Sequence, residues 1–240
     1  MKLKGKRAVV TGGGSGYGRG IAAALVAAGA KVWITGRDGT KLARTARAIG
    51  ATPIVADVTS GDDWDRVFKT VGTVDVLVNN AGAGVRIDEV AKQTDAEIAA
   101  AVAVNLTGAI MGCARAARQM TARGKGGAII NVSCVCAKYA WPGWSVYTAA
   151  KAGLLKFSHG LYTELRSRGV KVTCVIPSWG QTDFNRAAGI EGASEDRKLA
   201  KDCIAPEDLG AIVRGILEQP DRLAVPDVTV QPTVQDIVPM

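Results

Sequence analysis

A tyrosine and a lysine stand four residues apart, as Tyr147 and Lys151, in a segment whose composition predicts a helix. Residues separated by four positions share one face of a helix, so these two side chains can meet. A free phenol has a pKa near 10 and is almost fully protonated at neutral pH. Because a neighbouring ammonium stabilises a phenolate, we expect Lys151 to lower the pKa of Tyr147 towards neutrality, where it can act as a general acid/base.

A glycine-rich turn follows the first strand-like segment, with Thr-Gly-Gly-Gly-Ser-Gly-Tyr-Gly at residues 11–18. This turn fits the pattern TGxxxGxG and not GxGxxG. Glycines allow a tight turn and a close approach of the backbone, and the helix that follows directs its N-terminus at a phosphate. The turn therefore predicts a site for a phosphorylated cofactor, although a glycine-rich turn without a ligand is the alternative at this point.

Strand-like and helix-like segments alternate along the whole chain and must position these motifs. Strands are predicted at residues 7–11, 31–35, 53–57, 74–79, 128–132, 171–176 and 225–230. Helices are predicted at residues 16–29, 40–49, 60–70, 94–123 and 147–168 and after Pro206. Apolar strands that are each followed by a helix indicate an α/β fold, with a doubly wound parallel sheet of about seven strands covered on both faces. We expect one domain over residues 1–240, with a substrate lid at about 183–204.

Composition limits the function classes. The 240 residues carry a net charge of +8, 48% are hydrophobic and 22% are charged, which is typical of a globular chain. The basic residues are scattered, so we expect no nucleic acid partner. Five cysteines without a CxxC pair and a single histidine predict no metal site. We also expect no membrane span, and a strand that begins almost at Met1 leaves no room for a signal peptide, which favours the cytoplasm.

Three motifs in this order resemble the classical short-chain dehydrogenase/reductase family. They are the TGxxxGxG turn, Asn-Asn-Ala-Gly at residues 79–82, and Tyr-Thr-Ala-Ala-Lys at residues 147–151. The resemblance covers essentially the whole chain. It implies a single Rossmann-type domain, a nicotinamide cofactor, hydride transfer between a secondary alcohol and a ketone, and a homotetramer or homodimer.

The residue after the second strand bears on the choice of cofactor. An acidic residue there would accept a hydrogen bond from the ribose 2′-hydroxyl, but this chain has Arg37, which can pair with a 2′-phosphate. We therefore favour NADP(H) over NAD(H), while Asp38 opposes that preference. By resemblance, Asp57 and Val58 lie at the adenine, and Asn79 holds the adjacent turn near the ribose. The resemblance places the other cofactor contacts at Gly12, Gly14, Ser15, Gly16, Tyr17, Gly18, Ala81, Gly82, Tyr147, Lys151, Pro177, Gly180 and Thr182.

The resemblance also assigns catalytic roles. Asn105 would hold a water in a proton relay to Lys151, which also binds the nicotinamide ribose. The family places a serine thirteen residues before the tyrosine, where it binds the substrate carbonyl, but here that residue is Cys134 and its neighbour is Ser133. Because a thiol is a weaker donor, three alternatives are open. Cys134 fills the role less well, which we favour, or Ser133 moves into it, or catalysis is impaired.

Aromatic residues are concentrated in segments expected to line the substrate site. They are Tyr139, Trp141, Trp144, Trp179 and Phe184. This concentration favours an apolar or ring-containing ketone or alcohol, and packing of loops or subunits is the alternative. Two further functions stay open: reduction of a 3-oxoacyl thioester of acyl carrier protein or CoA, and a catalytically weakened NADP-binding regulatory protein.

Overall fold

The computed structural model describes residues 1–190, 192, 196 and 198–236, and within them seven parallel strands form one sheet. The strands are β1 Arg7–Thr11, β2 Lys31–Gly36, β3 Thr52–Val55, β4 Val76–Asn79, β5 Gly127–Val132, β6 Val170–Pro177 and β7 Asp227–Val230. Their order is β3-β2-β1-β4-β5-β6-β7, so the direction of winding reverses between β1 and β4. This order confirms the doubly wound Rossmann-type sheet, and ligands of such sheets bind at the carboxyl ends of the strands near the reversal.

Helices cover both faces of the sheet. They are α1 Gly16–Ala27, α2 Gly39–Ile49, α3 Gly61–Val71, α4 Asp95–Val102, α5 Gly108–Arg123, α6 Ser145–Leu165, α7 Phe184–Ala188 and α8 Pro206–Glu218. Alternate strand residues point to opposite faces. Val10 therefore packs in one buried cluster with residues of α1, α2 and α8, whereas its neighbour Val9 packs in a second cluster with residues of α3, α5 and α6. The core thus lies in two layers, one on each face of the sheet.

The predicted helix 94–123 is interrupted in its middle. It begins as expected, because Thr94 and Glu97 form a reciprocal capping box. Residues Ala103–Thr107 then form a π-helical turn between α4 and α5. The side chain of Asn105, in this turn, donates a hydrogen bond to Ala101 O at 3.0 Å. A side-chain amide inserted among the backbone hydrogen bonds widens the turn, and such π-turns often occur at functional sites.

The helical stretch Asp95–Arg123 is long and apolar enough, by length and composition, to cross a membrane. In this fold it does not stand alone: α5 contributes the buried Cys113, Ala116 and Met120 to the second core cluster. A helix that packs on the sheet of a Rossmann-type fold meets the same test, so this stretch is weak evidence for a membrane span.

The expected lid at 183–204 is only partly described. Residues 191, 193–195 and 197 lie outside the described residues. The remainder contains α7 and a short 3₁₀ turn at Ala200–Asp202. The described part of the expected lid therefore contains two short helical segments.

Candidate functional site

The glycine-rich turn connects β1 to α1 and depends on its glycines. Gly12 and Gly16 have φ values of +64° and +50°, a region that side chains with a Cβ rarely adopt. A Cβ on Gly18 would lie 2.3 Å from Gly12 O, which no other residue could tolerate. The turn can therefore bring its backbone close to a ligand.

The N-terminus of α1 differs from those of the next three helices. Its N-cap residue, Ser15, makes no side-chain capping bond, and the first turn contains no acidic residue. In contrast, α2, α3 and α4 are capped by Asp38, Ser60 and Thr94. The first backbone N–H groups of α1 thus have no side-chain cap, and together with the helix dipole they suit a phosphate.

Two side chains that the motifs contain but the site prediction missed hold this turn against the end of β4. Asn80 Nδ2 donates to Thr11 O at 3.0 Å and to Gly12 O at 3.4 Å. Thr11 Oγ1 accepts hydrogen bonds from the N–H groups of residues 80 and 81, each at 3.0 Å. Asn79, in contrast, points into the core and donates to Asn131 Oδ1 at 2.9 Å. The contact with the turn that was predicted for Asn79 is therefore made by Asn80, because successive residues face opposite ways.

Asn105, Gly82 and Lys151 converge beside this turn. A Cβ on Gly82 would lie 2.8 Å from Asn105 Oδ1 and 3.2 Å from Lys151 Nζ. Asn105 is 1% exposed, donates to Ala83 O at 2.7 Å and accepts from Ala83 N at 3.2 Å. The amide of Asn105 therefore fixes the loop that ends β4, and the close approach of Gly82 leaves room for both polar groups.

Tyr147 and Lys151 lie on one buried face of α6, as the spacing predicts. Lys151 Nζ donates to Val132 O at 3.3 Å and lies 5.7 Å from the centroid of the Tyr147 ring. Burial raises the pKa of Tyr147 well above its ordinary value, and the thiols of Cys134 and Cys136 raise it further. Burial also lowers the pKa of Lys151. The expected shift of the Tyr147 pKa towards neutrality is therefore wrong for this structure, because burial and the two neighbouring thiols raise this pKa.

Cys134 and Ser133 point in different directions at the end of β5. Ser133 is buried, and its hydroxyl donates to Lys151 O at 2.9 Å. Cys134 is partly exposed and accepts a hydrogen bond from Tyr147, which helps to lower the pKa of the thiol. The structure thus brings Cys134, and not Ser133, to the hydroxyl of Tyr147.

Two aromatic rings, those of Trp144 and Phe184, pack against the ring of Tyr147. Tyr147 contacts Trp144 edge-on at 5.8 Å and Phe184 at 5.2 Å, and the last two rings stack at 6.2 Å between centroids. Tyr139 and Trp141 contact each other edge-on at 6.5 Å. The site therefore has an apolar, aromatic wall, formed by Trp144 and Phe184, directly at the predicted acid/base.

Residues after β6 approach the glycine-rich turn from the other side. Pro177 ends β6, and a Cβ on Gly180 would lie 2.0 Å from the hydroxyl of Tyr17. A Cβ on Gly16 would lie 3.3 Å from Thr182 Cγ2. The structure thus places Thr182 over the start of α1, on the side where a dinucleotide would bind.

Two contacts tie this segment to the rest of the fold. Ile204 N donates to Trp179 O at 2.9 Å. Lys41 Nζ lies 3.3 Å from Asp183 Oδ2, which joins the first turn of α2 to the expected lid. The two ends of the expected lid are thus joined to the segment after β6 and to α2.

The residues predicted to contact the adenosine end of the cofactor lie at the ends of β2 and β3. Arg37 is exposed there. The carboxylate of Asp38 accepts from Lys41 N at 2.9 Å and caps α2. Asp57 Oδ1 accepts from Thr59 N at 2.9 Å and Oγ1 at 2.8 Å. The carboxylate of Asp38 is therefore engaged as the cap of α2.

Val58 follows Asp57 and lies against the start of α5. Its carbonyl accepts a hydrogen bond from Trp64 Nε1 at 2.9 Å, and a Cβ on Gly108 would lie 2.7 Å from the same oxygen. The loop after β3 is therefore fixed through its backbone, while the side chain of Asp57 stays partly exposed at the cleft.

Comparisons with known proteins agree with this geometry. The sequence profile of the family described as "short chain dehydrogenase" matches residues 6–191. A 3-oxoacyl-[acyl-carrier-protein] reductase from Synechocystis sp. is 32% identical over 223 residues, which cover 89% of each chain. A metagenomic short-chain oxidoreductase solved with NADP is 31% identical, with a TM-score of 0.82 over 98% of this chain and all of that one. A 3-ketoacyl-(acyl-carrier-protein) reductase from Brucella melitensis, solved with NADH, is 27% identical, with a TM-score of 0.86 over 95% of this chain and 98% of that one.

A Rossmann-type fold with a glycine-rich turn and a buried tyrosine–lysine pair defines the class of protein, an oxidoreductase. The chain belongs to the short-chain dehydrogenase/reductase family, as the three motifs predicted.

Proposed function

We propose that this protein is an NADP(H)-dependent oxidoreductase that interconverts a ketone and a secondary alcohol. The observation that carries the proposal is the convergence of Asn105, Lys151 and Tyr147 beside a glycine-rich turn shaped for a dinucleotide. Bound NADPH would supply the hydride. Its diphosphate would lie at the start of α1, against Gly16 and Thr182.

In this proposal, Tyr147 donates the proton to the carbonyl oxygen as the alkoxide forms. Because burial raises the pKa of Tyr147, the phenol holds its proton at neutral pH, which is the protonation state that the reducing direction needs. Lys151 stabilises the phenolate that is left and binds the ribose. Asn105 fixes the loop beside them, and Cys134 donates a weak hydrogen bond to the substrate oxygen.

The preference for NADP(H) rests on Arg37. Its guanidinium is exposed at the end of β2, and the adjacent carboxylate of Asp38 is engaged in capping α2. The NADP complex of the metagenomic relative supports the same cofactor, and the NADH complex of the Brucella relative keeps NAD(H) as the alternative.

Replacing Arg37 by glutamine should weaken NADPH binding about 10- to 100-fold, because a charge-assisted hydrogen bond contributes about 1.5–3 kcal/mol. NADH binding should change little, since NADH has no 2′-phosphate. Fluorescence titration of both nucleotides measures the two dissociation constants. Arg47→Gln, on α2, is a matched control that should leave both unchanged. Equal losses for NADPH and NADH would contradict the proposed role.

The substrate is proposed to be an apolar or ring-containing ketone. Trp144 and Phe184 form an aromatic wall against Tyr147, and such walls bind flat apolar groups. NADPH oxidation measured over aliphatic, aromatic and thioester ketones, and repeated with NADH, tests the function. Tight NADPH binding without turnover of any ketone would instead favour the regulatory protein.

Reduction of 3-oxoacyl thioesters is the second candidate. Two relatives carry that activity in their names, at 32% and 27% identity. A cavity of about 870 Å³ beside Gly16 and Thr182 is lined by Arg19, Arg186 and Lys201, which suits a phosphorylated acyl carrier. However, Arg19 pairs with Glu207, and Arg186 with Asp183, so part of this charge is neutralised. A marked preference for thioesters in the ketone screen would select this candidate.

Replacing Cys134 by serine should raise the rate of ketone reduction by up to about tenfold, because a hydroxyl is a better donor than a thiol to a developing oxyanion. The pKa of Cys134 is lowered to about 7. Above that pH the thiol loses the proton that it would donate, so the wild-type rate should fall as pH rises, and the serine variant should lack this limb. A pH–rate profile of both proteins measures the effect. An inactive serine variant that folds and binds NADPH would contradict the assignment.

We further propose a single-domain, cytoplasmic protein that forms a homotetramer or homodimer and binds neither nucleic acid nor membranes. Support comes from the family resemblance and from the scattered basic charge. Light scattering after size-exclusion chromatography would measure the oligomeric state, and a monomer at micromolar concentration would contradict this part.

A further inference from the structure

We propose that Cys134 and Cys136 are a reversible oxidation site, a dithiol that a hydroperoxide converts to a disulfide at the mouth of the active site. The site rests on the geometry of the two thiols. Its consequence for turnover, but not its formation, rests on the proposed function.

The two sulfurs already face each other. Cys134 is the N-cap residue of the short 3₁₀ turn Val135–Ala137, and the sulfurs of Cys134 and Cys136 lie 3.4 Å apart. The N–H of Cys136 also donates to Cys134 Sγ at 3.5 Å, which keeps both side chains on one side of the turn. Because a disulfide has a length of about 2.05 Å, side-chain rotations that close roughly 1.4 Å would join them.

The pair contains one reactive and one resolving thiol. Cys134 is partly exposed at the cleft, whereas Cys136 is 4% exposed. Hydrogen bonds from Cys136 and Tyr147 and the charge of Lys151 all favour a thiolate at Cys134, and they lower its pKa to about 7. The pKa of Cys136 is raised, so this thiol stays protonated and donates a hydrogen bond to the sulfur of Cys134.

Two other thiols, those of Cys113 and Cys174, lack these features. Cys113 and Cys174 are buried in the core, and burial raises their pKa values to about 12 and about 11. A buried protonated thiol reacts slowly with peroxides, because the thiolate is the nucleophile. Oxidation should therefore begin at Cys134.

The reaction balances with a hydroperoxide as the oxidant. The Cys134 thiolate attacks one peroxide oxygen, the O–O bond breaks, and hydroxide or an alkoxide leaves and takes a proton. The sulfenic acid so formed is attacked by the sulfur of Cys136, which loses its proton as the S–O bond breaks and water leaves. Two electrons pass from the two sulfurs to the peroxide, and a dithiol reductant reverses the change by thiol–disulfide exchange.

The disulfide would act on the substrate end of the site. Joining the sulfurs draws Cys134 away from Tyr147 and removes the thiol proton that would reach the substrate oxygen. The glycine-rich turn and Arg37 lie at other strand ends. We therefore expect oxidation to lower ketone reduction at least about tenfold while NADPH affinity is kept.

Hydrogen peroxide treatment of the wild-type protein, followed by intact-mass and peptide mass spectrometry, tests the proposal. The expected result is a loss of two hydrogen atoms, a link between residues 134 and 136, and full reversal by dithiothreitol. Cys136→Ser should instead collect oxygen atoms at Cys134, without reversal once sulfinic acid forms. Cys113→Ser, a matched core thiol, should behave as the wild type does.

Two results would overturn the proposal. One is a wild-type protein whose residues 134 and 136 stay unlinked in the peptide map, a measurement that does not depend on the folding of any variant. The other is a loss of NADPH affinity that follows disulfide formation in the wild type and that Cys136→Ser prevents. Because mass and nucleotide affinity are measured without a ketone, failure of the proposed reaction would leave this test interpretable.

Discussion

Tyr147→Phe is expected to lower ketone reduction about 10²- to 10⁴-fold, the usual contribution of a positioned general acid. Only the hydroxyl is removed, so the ring keeps its contacts with Trp144 and Phe184. NADPH affinity should therefore stay within a few-fold of the wild-type value. Initial rates of NADPH oxidation with a saturating ketone, together with fluorescence titration of NADPH, measure both quantities.

The matched control is Tyr162→Phe, which removes a phenol from the same helix at the opposite end from the site. It should keep full activity. A Tyr147→Phe variant with more than about a tenth of the wild-type rate would contradict the role of this phenol, because loss of a general acid costs at least about 100-fold.

Lys151→Met is expected to lower turnover about 100-fold or more, because the phenolate formed at Tyr147 loses its neighbouring ammonium. The same change should not lower the melting temperature. Lys151 is 4% exposed, and its ammonium makes a rather long 3.3 Å hydrogen bond to Val132 O. Burying a charge costs free energy, which a methionine of similar length avoids.

The pH dependence of stability checks the same point. Because burial lowers the pKa of Lys151, the folded state holds this proton less tightly than the unfolded state does. The cost is therefore fully present below the folded-state pKa and shrinks as pH rises through it towards the unfolded value. Thermal unfolding at neutral and at alkaline pH should show the wild type gaining stability relative to Lys151→Met. A variant that is both active and less stable would identify Lys151 as a structural residue.

The architecture could be predicted because its signal is local and repeated. Seven apolar strands, each followed by a helix or a loop at regular distances, have few ways to bury their faces other than a doubly wound parallel sheet. The spacing of Tyr147 and Lys151 on α6 is equally local, since a helix places residues four apart on one face. The glycine-rich turn was recognisable because four of its positions, at Gly12, Gly13, Gly16 and Gly18, leave no space for a Cβ or need a positive φ.

The side-chain directions at the strand ends were less predictable. Asn79 and Asn80 are chemically identical, and so sequence alone could not say which holds the glycine-rich turn. The roles of Ser133 and Cys134 could likewise be distinguished only in the structure. There the backbone directs the hydroxyl of Ser133 towards Lys151 O and the thiol of Cys134 towards Tyr147. The π-turn at Asn105 also lacks a pattern of its own, because it arises from contacts with a loop that is distant in the chain.

The amino-acid sequence alone determined the parallel sheet, the glycine-rich turn and the spacing of the tyrosine–lysine pair. Each of these depends on residue types and spacing within a short stretch of chain. The protonation state of that pair follows from the fold. Burial of Tyr147 against Trp144 and Phe184 removes water and raises the pKa of the phenol, and the fold also brings two thiols against it. Desolvation depends on everything that packs around a group, and no local pattern in the sequence records it.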